Sequence, residues 1–493
     1  MTIKILNSAG LFCILFSYVA TASQPITDYL LKPTGQYNVA FKEIHWVNNT
    51  ICPDPNFSKA NQKNFSSDNK KYCHELMTRV YYPTTFNARV GSPYYRPLVS
   101  VEQNNLRRIP DMKQEELEQL GKLKSYTIEN VPIVKSKKFP VILFISGSGG
   151  QIQFYENTIT QLVSHGYIVV GINSVFINGD ILLPNKTVAR TVDMQNWDVV
   201  SKITLPVLEQ DISFIYKKIH EPTQDPVFKS MDLKHIGALG HSFGGRAIAN
   251  VANQHERWFQ ALLTLDMEVH MGSYQPKNSM MPCMHIISAY WRSAFNWLPL
   301  QYHLGKNGYL VTLSPSADNK HYSYHINFTD LSTLQYLPAY QAAMKYNHAK
   351  LAKGEDVVIK TGSEPDPKFS DIKRPLYLIE KRANTWNLMY YKPRKKATKI
   401  ELEMIPGLQT ALDQLTLTPL TETKLIPIKK MIHAYHQGFG NILGTGNGYK
   451  INRALNLYVV DFFNVFLKNE KNPFVGCTAL TNNTHIGCGP GIF

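Results

Sequence analysis

The 493-residue chain is 44% apolar and 18% charged, and its net charge is +15. That length and apolar fraction exclude a disordered chain and a minimal disulfide scaffold, and they leave room for an enzyme-sized core. The basic excess favours contact with anionic surfaces.

The chain opens on MTIKILNSAGLFCILFSYVATASQP, with Lys4 as a positive start, an apolar stretch from Leu11 to Ala20, and a small-residue site at Ala20-Thr21-Ala22. This pattern predicts a signal peptide over residues 1–23, and so a secreted or periplasmic protein. Beyond it no run of eighteen apolar residues occurs, and no further segment is expected to span a membrane. With Cys13 removed in the leader, Cys52 with Cys73 and Cys477 with Cys488 are expected as local disulfides, leaving Cys283 as a free thiol on a buried strand. No zinc-type spacing is present, and neither metal nor cofactor is expected.

Alternating side chains predict early antiparallel strands at Tyr37–Phe41 and Leu76–Pro83. A charged helical patch, MKQEELEQLGKL, follows. FPVILFISGSGG then supplies a wholly apolar strand, Val141–Ile145, too short for a helix and closed by glycines, as in a parallel strand covered on both faces. Helical spacing at Tyr155, Ile159, Leu162 and Val163 precedes a second buried strand at Tyr167–Asn173. A helix with Leu208, Ile212, Ile215 and Ile219 on one face continues the alternation. A strand and helix around Ser242 come next, then FQALLTLD, MHIISAY and GYLVTLS as three more strands. The expected fold class is α/β, with a mostly parallel central sheet covered by helices on both faces.

The alternation stops near Asp330. Residues 331–430 hold 17 Lys and Arg against 10 Asp and Glu. They read as a basic insertion, a cap or accessory subdomain, with strand-like pieces RPLYLIEK and KIELEMI. Its densest run, YKPRKKATK, lacks the context of a nucleic-acid reader, so no nucleic acid is expected as partner. Further on, Leu455, Val459, Phe462, Phe463, Phe466 and Leu467 make one apolar stripe and predict the last helix covering the sheet. The expected organisation is a main domain over 24–330, the insertion over 331–430, the end of the domain over 431–470, and a tail over 471–493 with a possible disulfide.

Chemistry concentrates in HIGALGHSFGGRAIANV, where Ser242 stands between Gly240 and Gly244 at a strand-to-helix corner. A serine on such a strained turn is the nucleophile position of a Gly-x-Ser-x-Gly elbow. A serine hydroxyl needs a base and an anion to orient that base, and on this kind of chain they follow in the order acid, then histidine. Asp266, ending FQALLTLD, is the expected acid, with Glu268 as runner-up. His325 in HYSYHINFTD is the expected base, with His321 as rival, and His241 reads as packing beside the serine. Two backbone amides must meet an oxyanion: Phe243, after the nucleophile, and Ser148 in SGSGG. AYWRSAFNWLPL carries Trp291, Phe295 and Trp297, expected as substrate contacts. Six Asn-x-Ser/Thr sites occur, at Asn48, Asn56, Asn64, Asn185, Asn327 and Asn482, and a glycan on Asn327 would obstruct the base.

On RVYYP, FPVILFISGSGG, GHSFGGRAIANV, ALLTLD, HINFTD and INRALNLYVVDFFNVFLK, in that order, the chain resembles the plasma-type (isoform II) platelet-activating factor acetylhydrolases and their bacterial relatives. These belong to the dienelactone-hydrolase-like α/β-hydrolases. The resemblance implies an α/β-hydrolase fold with Ser242 as nucleophile, Asp266 as orienting acid, His325 as base, and Ser148 and Phe243 as oxyanion amides. It further implies calcium-independent removal of short or oxidised acyl chains from phospholipids, while broader members act on simple esters or polyesters. The expectation is therefore an exported serine esterase with a lipid or ester substrate and peripheral contact with an anionic membrane surface. A small-ester or polyester hydrolase is the alternative, and a non-catalytic lipid- or glycan-binding scaffold the reading from another class. Two departures stand out: Ser146 occupies a position where the family commonly has histidine, and the family lacks the hundred-residue insertion.

Overall fold

The computed structural model describes residues 29–52, 54–56, 73–87, 91–92, 123–135, 137–191, 200–267, 281–288, 308–313, 323, 325–334, 336, 357–361, 376–382, 385–391 and 447–474. Strand β1 (Asn38–Asn48) pairs antiparallel with β2 (His74–Thr84) along its whole length. It runs well past the expected Phe41, because a backbone ladder continues through KEIHWVN, polar and apolar residues alike, while its partner strand remains alongside. Short β3 (Thr127–Glu129) joins the far edge of β1.

The alternating part then follows. Strand β4 (Phe139–Ile145), helix α1 (Glu156–Ser164) and β5 (Ile168–Ser174) make a first unit of two parallel strands joined through a helix. A two-stranded hairpin of β6 (Ile181–Leu182) and β7 (Val188–Ala189) leads on to α2 (Leu205–His220) and a single turn, α3 (Pro226–Lys229). After these come β8 (Met231–His241), α4 (Ser242–Gln254), β9 (Ala261–Leu265), β10 (Cys283–Ser288) and β11 (Gly308–Leu313). A one-turn α5 (Leu331–Leu334) closes this portion.

Among the described residues nine strands form one sheet in the order β11-β10-β9-β8-β4-β5-β2-β1-β3, and the six from β11 to β5 are parallel. Alternate residues of β4 serve two cores. Val141, Leu143 and Ile145 pack with Leu208, Ile212 and Ile215 of α2 and with Ile248 of α4. Ile142 and Phe144 pack on the other face with Ile159 and Leu162 of α1. A strand covered on both sides has no solvent face to mark with polar residues, hence its unbroken apolar sequence.

Within the 331–430 stretch the described residues include a three-stranded antiparallel sheet of β12 (Val357–Thr361), β13 (Leu376–Arg382) and β14 (Thr385–Tyr391). Of RPLYLIEK, Leu376 to Lys381 fall on β13, whereas KIELEMI and all of the charged patch MKQEELEQLGKL but its last residue, Leu123, lie outside the described residues. Helix α6 (Gly448–Lys468) is capped by the Asn447 side chain, which accepts from the Lys450 amide. Its Leu455, Val459, Phe462, Phe463 and Leu467 are buried in the same core as α1. Buried amides fasten the two helices: Asn157 Nδ2 donates to Asn452 Oδ1 at 3.1 Å, and Asn456 Nδ2 donates to the Asn157 carbonyl at 2.9 Å. Among the described residues no helix is long and apolar enough to cross a membrane.

Cys52 and Cys73 are disulfide-bonded, and Cys283 on β10 is free. Cys477 and Cys488 lie outside the described residues. Of the Asn-x-Ser/Thr sites, Asn48, Asn56 and Asn327 are buried and Asn185 is exposed. A glycan cannot be accommodated on a side chain that is wholly enclosed in the folded protein, which removes the obstruction expected at Asn327.

Candidate active site

The parallel register brings three loops to one edge of the sheet. Ile145 lies beside Gly240, and His241 beside Leu265. The loop after β4, the corner after β8 and the residue after β9 therefore emerge side by side at the carboxyl ends of the strands. Chain order reverses between β4 and β8, the place where sheets of this type hold ligands.

At the β8–α4 corner Ser242 has φ 54°, a left-handed conformation that costs a non-glycine residue energy and needs a tightly packed surround to persist. Its glycine neighbours are required by contact. A Cβ on Gly244 would lie 2.2 Å from the Ser146 carbonyl oxygen, and one on Gly240 would lie 2.7 Å from that of Gly244. Both obstacles are backbone. Gly244→Ala is accordingly expected to cost about 1–3 kcal/mol of stability, through strain at the corner. Denaturant unfolding measures this, and an unchanged midpoint would show that the corner can widen at no cost.

The three predicted residues meet in one line. Ser242 Oγ lies 2.7 Å from His325 Nε2, and His325 Nδ1 lies 2.8 Å from Asp266 Oδ2. His325 stands on a 3-10 turn, His325–Phe328. The Asp266 side chain is enclosed, and it also accepts from the Ser288 amide at 2.7 Å and the Ser288 hydroxyl at 3.0 Å. Burial raises the pKa of this carboxyl, while the hydrogen bonds and the charge of His325 oppose the rise. With the carboxylate accepting, Nδ1 of His325 carries a proton and Nε2 is left to accept from the serine. Glu268 and His321 lie outside the described residues.

Ser148 lies in the turn after β4. Around it each glycine amide is engaged: Gly147 N–H donates to Tyr155 Oη at 3.1 Å, Gly149 N–H to the Ile177 carbonyl at 2.8 Å, and Gly150 N–H to the Gly147 carbonyl at 3.1 Å. The Ser148 amide has no acceptor among the described residues. Phe243 is the second residue of α4, where a helical amide finds no carbonyl within its own helix. Ser146, which stands where histidine was expected from the resemblance, closes the turn by donating from Oγ to the Gly150 carbonyl at 2.8 Å. Trp291, Phe295 and Trp297 lie outside the described residues.

Several residues that sequence reading passes over hold this arrangement. Asn178 is buried and donates from Nδ2 to the Ser146 and Gly147 carbonyls at 3.3 and 3.2 Å, clamping the turn from the loop after β5. Asp330, to which the sequence assigned no role in the site, accepts from the Glu156 and Asn157 amides at 2.7 and 2.8 Å. It thus caps α1 and docks the histidine turn onto that helix. His241, read as packing, is buried and bonded at both ring nitrogens. Tyr155 satisfied the apolar spacing of a helix, and its hydroxyl carried no separate signal.

The sheet order, the strained elbow and the loops at its carboxyl edge define an α/β-hydrolase fold. The solved ferulic acid esterase from Streptomyces cinnamoneus superposes with a TM-score of 0.54 at 15% identity, over 90% of this chain and 94% of that one. Residues 55–174 match the model of the family platelet-activating factor acetylhydrolase, isoform II. That stretch runs through β2, the turn holding Ser148, and β5, and ends before Ser242. The fold is thus that of the α/β-hydrolases, and residues 55–174 carry the likeness to the platelet-activating factor acetylhydrolase family. No curated protein matches the chain.

Proposed function

We propose that the protein is an exported serine esterase that hydrolyses carboxylic esters, in particular short or oxidised acyl chains of phospholipids, through an acyl-enzyme intermediate. The observation that carries this reading is the hydrogen-bonded line from Ser242 through His325 to Asp266 on a strained corner. His325 Nε2 takes the serine proton as Oγ attacks the ester carbonyl, and the amides of Ser148 and Phe243 receive the oxyanion. The same proton then passes to the departing alcohol. Water, activated by His325, releases the acid and restores the serine. A protein that only binds lipid or glycan has no need to keep these three side chains aligned.

The phospholipid preference draws on the family match over residues 55–174. Export draws on the leader sequence and on the Cys52–Cys73 disulfide, a bond that persists in oxidising compartments. Structural likeness to a ferulic acid esterase favours a second reading, hydrolysis of small soluble esters. Purified protein assayed without calcium on p-nitrophenyl esters from acetate to palmitate, and on vesicles of short-acyl phosphatidylcholine, separates the two. Faster turnover on the vesicles supports the phospholipid reading. Turnover of acetate and butyrate esters with none on vesicles supports the small-ester reading. Inertness on all of them, with no labelling by a fluorophosphonate, would exclude both.

A further inference from the structure

Next to the three residues in line lies a second buried chain of polar groups. Gly147 N–H donates to Tyr155 Oη at 3.1 Å, Tyr155 Oη lies 2.8 Å from His241 Nδ1, and His241 Nε2 lies 3.1 Å from the His325 carbonyl oxygen. The proton positions follow from the two ends. An amide can only donate and a carbonyl can only accept, so Tyr155 Oη receives from Gly147, and His241 Nε2 must carry the proton given to His325. The Nδ1 lone pair of a neutral His241 is then free to accept the Tyr155 proton. Every donor in the chain has one acceptor, and the arrangement requires an uncharged His241. Burial, and the charge of a protonated His325, both lower the pKa of His241 and hold it neutral.

Packing fixes the same rings. Tyr155 meets Phe144 edge-on at 5.0 Å, and His241 lies against His325 at 4.5 Å and Phe328 at 5.9 Å. Gly147 is pressed onto the elbow, for a Cβ there would stand 3.1 Å from both Ser242 Cβ and His241 Nδ1. The chain therefore joins the loop after β4 to the turn that carries His325, passing beneath the serine.

We propose that Tyr155 and His241 are positioning residues for the reaction, a relay that fixes the oxyanion loop and the histidine turn relative to each other. This rests on the esterase reading of Ser242 and His325. By engaging the Gly147 amide, Tyr155 leaves the next amide, Ser148, as the donor available to the oxyanion. By gripping the His325 carbonyl, His241 sets the imidazole against Ser242 independently of Asp266. The relay touches neither substrate nor reacting atoms. Its effect is on alignment, where a displacement of about 1 Å can cost on the order of 100-fold in rate.

The test compares Tyr155→Phe, His241→Gln, His241→Phe, the double variant Tyr155→Phe/His241→Phe and Ser242→Ala with the wild type. Turnover of p-nitrophenyl butyrate, the rate of labelling by a fluorophosphonate probe, and thermal melting are measured on the full chain. Tyr155→Phe is expected to lower kcat and the labelling rate by about 10- to 100-fold with KM within about twofold. His241→Gln keeps a carbonyl to accept from Tyr155 and an N–H to donate to His325, and should retain more activity than His241→Phe. The double variant should be no worse than His241→Phe alone, as for two links of one chain. Wild-type kcat in folded Tyr155→Phe would overturn the relay, as would a loss confined to KM or losses that multiply in the double variant. Should His241→Phe fail to fold, Tyr155→Phe and His241→Gln decide the matter. The serine variant separates the two ideas: turnover lost in Ser242→Ala but intact in Tyr155→Phe removes the relay alone, whereas turnover intact in Ser242→Ala removes the esterase reading beneath it.

Discussion

Ser242→Ala is expected to lower kcat on p-nitrophenyl esters by about 10^4- to 10^6-fold while leaving the melting temperature unchanged or raised. On the proposed mechanism the loss is large because attack, proton transfer and acyl-enzyme formation all begin at one oxygen, 2.7 Å from His325 Nε2. Stability should not suffer, since the substitution shortens a side chain that sits at the surface of the corner and relieves none of the backbone contacts that hold it. Asp266→Asn should cost about 10^4-fold. An amide in place of the carboxylate presents an N–H toward His325 Nδ1, so the imidazole turns its acceptor to Asp266 and its donor to Ser242. The two variants together distinguish loss of the nucleophile from loss of the tautomer. Turnover within tenfold of the wild type in either would exclude the corresponding role.

The second large effect is expected on stability. His74, the first residue of β2, is enclosed between two carboxylates: Nδ1 lies 2.5 Å from Asp54 Oδ2 and Nε2 lies 2.8 Å from Asp211 Oδ2. The Ser174 hydroxyl also donates to Asp211, at 2.6 Å. Burial alone lowers the His74 pKa, but the charge of Asp211 and the hydrogen bonds to Asp211 and Asp54 outweigh it and carry the value from 6.5 to about 10. The sign is that of a group raised on folding. Its contribution is fully present below about pH 6.5 and is lost as pH rises through about 10.

His74→Gln is expected to lower unfolding free energy by about 3–5 kcal/mol at pH 6, because two buried carboxylates are left without their cation. The deficit should narrow between pH 6.5 and 10, where the unfolded wild type has given up the proton that the folded protein still holds. Denaturant unfolding at pH 6, 8 and 10 checks this. A deficit that stays constant across the series would show that His74 is neutral in the fold. The cysteine at position 73 precedes this histidine, and its disulfide to Cys52 tethers the segment bearing Asp54 to β2.

The chemistry of the site was more legible in the sequence than its support. Ser242 and Asp266 each end an apolar strand, and strand ends at one sheet edge are where side chains of a parallel sheet converge. The place of His325 after the last strand set it apart from most of the histidines, with His321 in the same loop left as its rival. The supporting residues leave no comparable mark. Tyr155 has the apolar body that a helix stripe demands, and nothing in the spacing announces its hydroxyl. Asn178 sits in SVFINGDILLP, which reads as a pocket wall or an ordinary loop at the carboxyl end of a strand, and nothing in it singles out the asparagine. His74 meets Asp211 across 137 residues of sequence, and a partner that distant is set by tertiary packing alone. Even β1 was cut short at Phe41, since strand pairing draws on backbone groups that every residue carries.

The pairing of α6 with α1 also bears on how the chain is made. Asn452 and Asn456 reach Asn157 and Thr158 across 295 to 299 residues, and Phe463 and Leu467 lie against Gly237 in the middle of the sheet. A nascent chain that has not yet reached residue 468 holds every described strand of the sheet and most of its helices, but the face that α6 shares with α1 is covered only in part. Contacts of such span form late and slowly. For most of its synthesis the protein is a half-covered sheet with exposed apolar surface, the state in which chains aggregate or engage chaperones. The last helix is the step that ends this exposure, so a truncation before residue 448 should leave a chain that never escapes it.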